Sequence, residues 1–249
     1  MALAHCVAAC RDGEVEFLRD VFKRARQTSG PAGLPALLSE TDGEGNSLLH
    51  ISAAAGKGAV VDLLLAFGAA VNRNNPLGAT PLHAACSSPP SETSLSLVNT
   101  LLDARAQPNI QDAGGETPLH TLLRTAKEAR YHALLEQVAG TSTHPELDVS
   151  REELEKLLSR GQQATLTHYY DDLVDALIDR GGDVLTTNAK GEMATDLCLD
   201  GFLVGRLVRR YRLDYSKAAT QAEWQLQVGL KSTTVSPSAG PRPTDASGE

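Results

Sequence analysis

Gly78-Ala79-Thr80-Pro81-Leu82-His83 and Gly115-Glu116-Thr117-Pro118-Leu119-His120 are one phrase written twice, 37 residues apart. Pro81 and Pro118 suit the first position of a helix, where a missing N–H costs nothing, and Thr80 and Thr117 before them read as helix N-caps. Gly78 and Gly115 permit the backbone that a tight turn needs. Working outward, Gly45-Asn46-Ser47-Leu48-Leu49-His50 stands 33 residues upstream, and a degenerate copy, Gly191-Glu192-Met193-Ala194-Thr195-Asp196, stands 76 downstream. Because His50, His83, His120 and Asp196 repeat the glycine intervals, the copies share a register. A second landmark, Leu63-Leu64-Leu65-Ala66-Phe67-Gly68-Ala69-Ala70-Val71-Asn72, returns at Thr100–Asn109 and at Ala176–Leu185. Each unit therefore reads turn, short helix, loop, second helix, turn.

The spacing Leu82, Ala85, Cys86 and then Val98, Leu101, Leu102 gives each helix one apolar stripe. No such unit buries both faces alone, so neighbours must stack. The phrase Gly-x-Thr-Pro-Leu-His, the Leu-Leu helix behind it and the 33-residue period resemble the ankyrin repeat. That resemblance implies an all-α solenoid of stacked helix-turn-helix units with hairpin-like turns, over repeats at about 4–38, 39–74, 75–111, 112–187 and 188–215. The first repeat, without the turn phrase but with Gly13 answering Gly56, reads as one cap. The last, with Asp196 in place of His and a basic second helix over 202–211, reads as the other.

Three departures from the period are expected to be insertions. Gln27-Thr28-Ser29-Gly30-Pro31-Ala32-Gly33 is Pro/Gly-rich and reads as a lengthened hairpin or loop. Ser87-Ser88-Pro89-Pro90-Ser91-Glu92 should end the first helix of its repeat. The largest, about 127–168, carries helical spacing through Leu122, Leu123, Ala126, Ala129, Ala133, Leu134 and Val138 with Gly140 as a stop. The fourth repeat's first helix should therefore overshoot its neighbours. Ser150-Arg151-Glu152-Glu153 is a capping-box signature opening a further helix that ends before Gly161. A short helix is expected within 216–230 and a disordered Ser/Thr/Pro-rich tail over 231–249.

Composition narrows the function. The 249 residues hold 23 Lys plus Arg against 31 Asp plus Glu, a net charge of −8, which argues against attachment to nucleic acid or anionic lipid by bulk charge. Cys6, Cys10, Cys86 and Cys198 lie in apolar surroundings without metal-ligand spacing and read as small buried hydrophobes in a reducing compartment. No apolar run reaches membrane-span length and the N-terminus lacks a basic n-region, so the expectation is a cytoplasmic or nuclear protein.

Candidate chemistry is thin. His50, His83 and His120 fall on successive units and raise a metal hypothesis, but the ankyrin resemblance implies a structural hydrogen-bonding role for the motif histidine, beside the capping Thr80 and Thr117. Cys86 and His83 share a core-facing helix stripe, a poor setting for a nucleophile. No phosphate-binding glycine motif occurs. The chain is expected to be no enzyme and to use no cofactor, and the aspartates Asp42, Asp112, Asp179 and Asp183 are assigned to repeat turns.

A protein-binding role is the stronger reading: an adaptor, scaffold or structural subunit, monomeric on its own, contacting protein partners. The resemblance places the contact surface at the hairpin tips and concave face, here Glu44, Asn46, Pro76, Leu77, Ser87, Glu116, Arg124, Lys190 and Glu192. Aromatics are favoured interface anchors. Tyr131, Tyr169 and Tyr170, in the insertion, are therefore further candidates, with local packing as their alternative. Arg209 and Arg210, in the basic stretch Arg206–Lys217, support a runner-up role in RNA or nucleic-acid association. Asn72 and Asn109 occupy the turn position that asparaginyl hydroxylases modify in some ankyrin proteins.

Overall fold

Helices come in pairs along the chain, and the pairs stack. The computed structural model describes residues 2–28, 30–88, 93–141 and 164–197, all within one compact unit, Met1–Leu203. In order these are α1 (Ala2–Asp12), α2 (Val15–Thr28), α3 (Gly30–Ser39), α4 (Leu48–Ala54), α5 (Gly58–Ala66), α6 (Pro81–Cys86), α7 (Ser94–Asp103), α8 (Pro118–Thr141), α9 (Ala164–Asp179) and a final 3-10 turn, Ala194–Leu197. Among the described residues no strand forms beyond isolated bridges, Thr41 to Ser47 and Thr187 to Met193, each closing the base of a hairpin turn.

The packing is a two-row stack. α1, α4, α6, α8 and the 3-10 turn touch in that order to make an inner row, and α2, α5, α7 and α9 make an outer row. Within each unit the two helices also pack on each other. The apolar stripes read from the sequence fill the space between rows: Leu48 and Leu49 of α4, Val60, Val61 and Leu64 of α5, Leu82 and Cys86 of α6, Val98 and Leu101 of α7, Leu119, Leu122 and Leu123 of α8, and Val174 and Leu177 of α9 are all buried. At the N-terminal end Phe22 is fully buried and meets Phe67 edge to face, with ring centroids 5.4 Å apart.

The expected loop at 27–33 is corrected. α2 runs through Thr28 and α3 begins at Gly30, so the extra residues make an added helix on the N-terminal unit. Pro31 falls in the first turn, where helices tolerate proline, and Leu34, Leu37 and Leu38 recur at helical spacing to seat α3 on α2. Pro35 lies inside that helix and forfeits one backbone bond, which the packing of the buried Leu38 offsets.

α8 runs for 24 residues against 7 for α4 and 6 for α6, overshooting its neighbours. The helix continues through Gly140 to Thr141, where this described stretch ends, so the expected stop at Gly140 is not observed. α9 begins at Ala164, inside the segment expected as insertion, so the outer helix of that unit is also extended toward its N-terminus. The helix expected after Ser150, the basic helix over 202–211, the helix within 216–230 and the tail lie outside the described residues.

Candidate partner-binding groove

Each hairpin is built around one side chain. Asp42 Oδ1 accepts the backbone N–H of Glu44 at 3.0 Å and of Asn46 at 2.8 Å. Asn75 does the same for Leu77 and Ala79, Asp112 for Gly114 and Glu116, and Asn188 for Lys190 and Glu192. A side-chain oxygen that takes the amides two and four residues on replaces a missing strand partner, so the finger is rigid without a sheet. The pattern Asp/Asn two residues before an exposed tip is present in the sequence, where the aspartates read as turn residues without this role.

The fingers also bond to one another. Ala113 N–H donates to the Leu77 carbonyl at 2.8 Å and Ala189 N–H to the Gly114 carbonyl at 2.9 Å. That approach is why glycine stands at the turn: a Cβ on Gly78 would lie 2.9 Å from the Ala113 nitrogen, and one on Gly115 would lie 2.7 Å from the Ala189 nitrogen. Both also have positive φ, +75° and +71°. At the first joint the equivalent donor is Pro76, which has no N–H, and Asn75 Nδ2 instead donates to Asn46 Oδ1 at 2.8 Å.

The three histidines tie finger, helix and next finger together. His50 Nδ1 receives the Ser47 backbone N–H at 3.2 Å and meets the Ser47 hydroxyl at 2.7 Å, and Nε2 meets the Ala79 carbonyl of the following finger at 2.9 Å. His83 repeats this with Thr80 and the Glu116 carbonyl, and His120 with Thr117 and the Glu192 carbonyl. A backbone N–H can only donate and a carbonyl can only accept, so each ring is neutral with its proton on Nε2. Burial enforces the same state: it pushes all three basicities down, His83 to about 4. In the last finger Asp196 Oδ2 accepts the Met193 N–H at 2.8 Å, as the histidine Nδ1 does elsewhere. A carboxylate has no proton for a further carbonyl, which suits the last finger of the described stack.

Between the fingers and the inner row lies a groove of about 550 Å³. Its floor is small, with Ala54, Ala55, Ala84 and Ser87, and its finger wall carries Asp42, Glu44, Asn46, Asn75 and Asp112. Arg11 closes the N-terminal end and Thr121 the other. Of the sequence candidates, Glu44, Asn46 and Ser87 meet here. Arg11, Asp42, Asp112 and Thr121 were not among the candidates; the finger register could have supplied the two aspartates.

The remaining candidates scatter. Pro76 and Leu77 are exposed on a finger tip, Leu77 by 68%. Lys190 is exposed on the last finger. Arg124 is half-buried and pairs with Glu116 on the wall of its own unit, so much of its charge is answered within the chain. Glu192 accepts from Asn188 Nδ2, which holds its carboxyl below the ordinary range. Tyr170 is corrected as a surface anchor: it is 4% exposed, its ring taken up in the packing of α9 with its hydroxyl pushed to about 12 by burial. Tyr131 lies on α8 and Tyr169 on α9, while Arg209 and Arg210 lie outside the described residues. Asn72 and Asn109 each clip the next unit's outer loop: Asn72 bonds Arg105 and Gln107, and Asn109 bonds Gly181 and Asp183.

Cys6, Cys10 and Cys86 are buried thiols, and burial raises Cys10 and Cys86 to about 12, far from the thiolate that nucleophilic chemistry needs. Among the described residues no group of three or more His, Cys, Asp or Glu is placed to hold a metal ion. No described helix is long and apolar enough to cross a membrane. In comparison with known proteins, the family model described as ankyrin repeats, in three copies, matches residues 6–112. No curated protein matches the chain significantly.

Proposed function

Because this chain is an ankyrin-repeat protein, we propose that it is a non-catalytic adaptor, scaffold or subunit that holds a protein partner in the groove between fingers and inner helices. Ankyrin repeats generally mediate protein–protein interaction, and the family is typically non-catalytic. The observation that carries the reading is the division of labour among side chains. Stacking consumes the apolar stripes, the three histidines and the finger amides, yet leaves a groove of about 550 Å³ whose lining includes small side chains that tie no unit to the next, Ala54, Ala55 and Ala84 among them. A rigid surface of this kind binds without paying for its own ordering. We place the protein in the cytoplasm or nucleus, where Cys6, Cys10 and Cys86 stay as thiols.

The test is site-specific photo-cross-linking in cells. A photoreactive residue replacing Ser87, exposed at the groove, is expected to capture a defined partner, whereas one replacing Asp62, exposed on the outer row, is not. Equal capture at both positions, or capture at Asp62 alone, refutes the groove as the docking surface.

A further inference from the structure

We infer that the groove selects a basic peptide segment of its partner, one whose Lys or Arg side chains reach the finger wall while small side chains lie on the alanine floor; this rests on the docking reading above. The argument is a hydrogen-bond account of the lining. Most neutral side-chain donors of the lining are spent inside the chain, the second Nδ2 hydrogen of Asn75 excepted. His50 Nε2 serves the Ala79 carbonyl and His83 Nε2 the Glu116 carbonyl. Asn75 Nδ2 serves Asn46, and Asn46 Nδ2 serves Asp42 and Glu44. The Ser87 hydroxyl donates to Ala84 and the Thr121 hydroxyl to Thr117.

Acceptors make up most of what remains. Asp112 uses one carboxylate oxygen for its finger and Glu44 one oxygen for Asn46, and the second oxygen of each accepts no bond among the described residues. Pro76, at the register position where Ala113 and Ala189 donate in the later fingers, has no N–H to give a carbonyl of the first finger. In charge, the lining sets Asp42, Glu44 and Asp112 against Arg11 alone, with both histidines neutral. A partner must therefore bring donors and positive charge, and a phosphate or acidic segment is repelled. The floor of Ala54, Ala55, Ala84 and Ser87 leaves the backbone of such a segment close to the inner row, within reach of the finger wall for a lysine or arginine stem.

The test uses the full chain and two fluorescein-labelled ten-residue peptides, one alternating Lys and Ala and one alternating Glu and Ala, followed by fluorescence anisotropy at low and moderate salt. Two variants carry the same charge change: Glu44→Gln with Asp112→Asn in the groove, and Asp20→Asn with Asp62→Asn on the outer helices. Asparagine keeps the finger's acceptor oxygen, as Asn75 and Asn188 do naturally, so the groove variant stays folded, checked by circular dichroism. The expected result is binding of the Lys peptide over the Glu peptide, weakened about fivefold or more by the groove pair and unchanged by the outer pair. Equal weakening by both pairs, preference for the Glu peptide, or no binding of the Lys peptide overturns the basic-partner inference. If cross-linking at Ser87 still captures a partner in that event, only the chemical class fails and the docking reading stands.

Discussion

Acid should loosen this stack through its histidines before its carboxylates begin to titrate. His83 is neutral in the folded chain and ordinarily takes a proton near 6.5, but burial holds it to about 4. A base whose folded value lies below its unfolded one stabilises the fold fully above 6.5 and loses that contribution as pH falls toward 4. Between pH 7 and pH 5 the loss at His83 alone is about 2 kcal/mol, approaching about 3 kcal/mol at pH 4. His50 and His120 are shifted the same way and add to the fall. The perturbation is His83→Gln, an amide that spans part of the same gap and does not titrate. Urea unfolding at pH 7 and pH 5 should give a wild-type stability difference larger by about 2 kcal/mol than that of the variant, whatever stability the substitution itself costs at pH 7. If wild type and His83→Gln lose stability equally between those two values, His83 is not held neutral by its place between Thr80 and Glu116, and the ladder argument fails.

Four further outcomes follow from the same geometry, each read by urea unfolding unless stated. Gly115→Ala should cost about 2 kcal/mol or more, since the new Cβ meets the left-handed backbone penalty and the Ala189 nitrogen together, while Gly68→Ala, at φ +91° in open space, should cost only about 1 kcal/mol. Asp112→Ala removes the acceptor of two finger amides and should cost about 2 kcal/mol, whereas Asp112→Asn should fall within about 0.5 kcal/mol of wild type. Phe22→Ala should cost about 3 to 5 kcal/mol, and Phe17→Ala, 41% exposed on the same helix, under about 1 kcal/mol. The Cys86 peptide should stay unlabelled by a thiol-specific reagent in native buffer at pH 8 and label fully in denaturant, as mass spectrometry will show.

The fold was legible because its grammar is local. Gly-x-Thr-Pro-Leu-His specifies a turn, a cap and a helix start within six residues, and the stripes that follow leave stacking as the one way to bury them. What the sequence concealed was non-local or conditional. The 27–33 segment looks like a loop because Pro and Gly break helices on average, yet Pro31 sits where a helix accepts it and Leu38 has α2 to pack on. Tyr170 reads as an anchor by residue type alone, and only the position of α9 in the outer row shows that it is enclosed. Asp42 and Asp112 looked like turn punctuation because one oxygen of each is. The other oxygen of Asp42 accepts Asn46 Nδ2 at 3.3 Å, and that the other oxygen of Asp112 is left beside a groove depends on where neighbouring fingers stand, which no single repeat encodes.

The groove's chemistry is in this sense a by-product of how the stack is fastened. Each histidine gives its Nε2 proton to the next unit's finger and Asn75 reaches back to Asn46, while the Asn46 amide and the Ser87 and Thr121 hydroxyls bond within their own units. Most donors are thereby drawn out of the groove, and Glu44 and Asp112, which use only one oxygen within the described residues, are left presenting the second. Asn75 and Asn188, in the same structural position as Asp42 and Asp112, hold their fingers equally well and carry no charge. Holding a finger therefore does not require aspartate, and the two places where aspartate stands are the two fingers that flank the groove floor at Ala84 and Ser87. At Asp42 the second oxygen also accepts Asn46 Nδ2, but at Asp112 the choice of acid over amide is one the stack does not dictate, and its physical effect falls on whatever enters the groove.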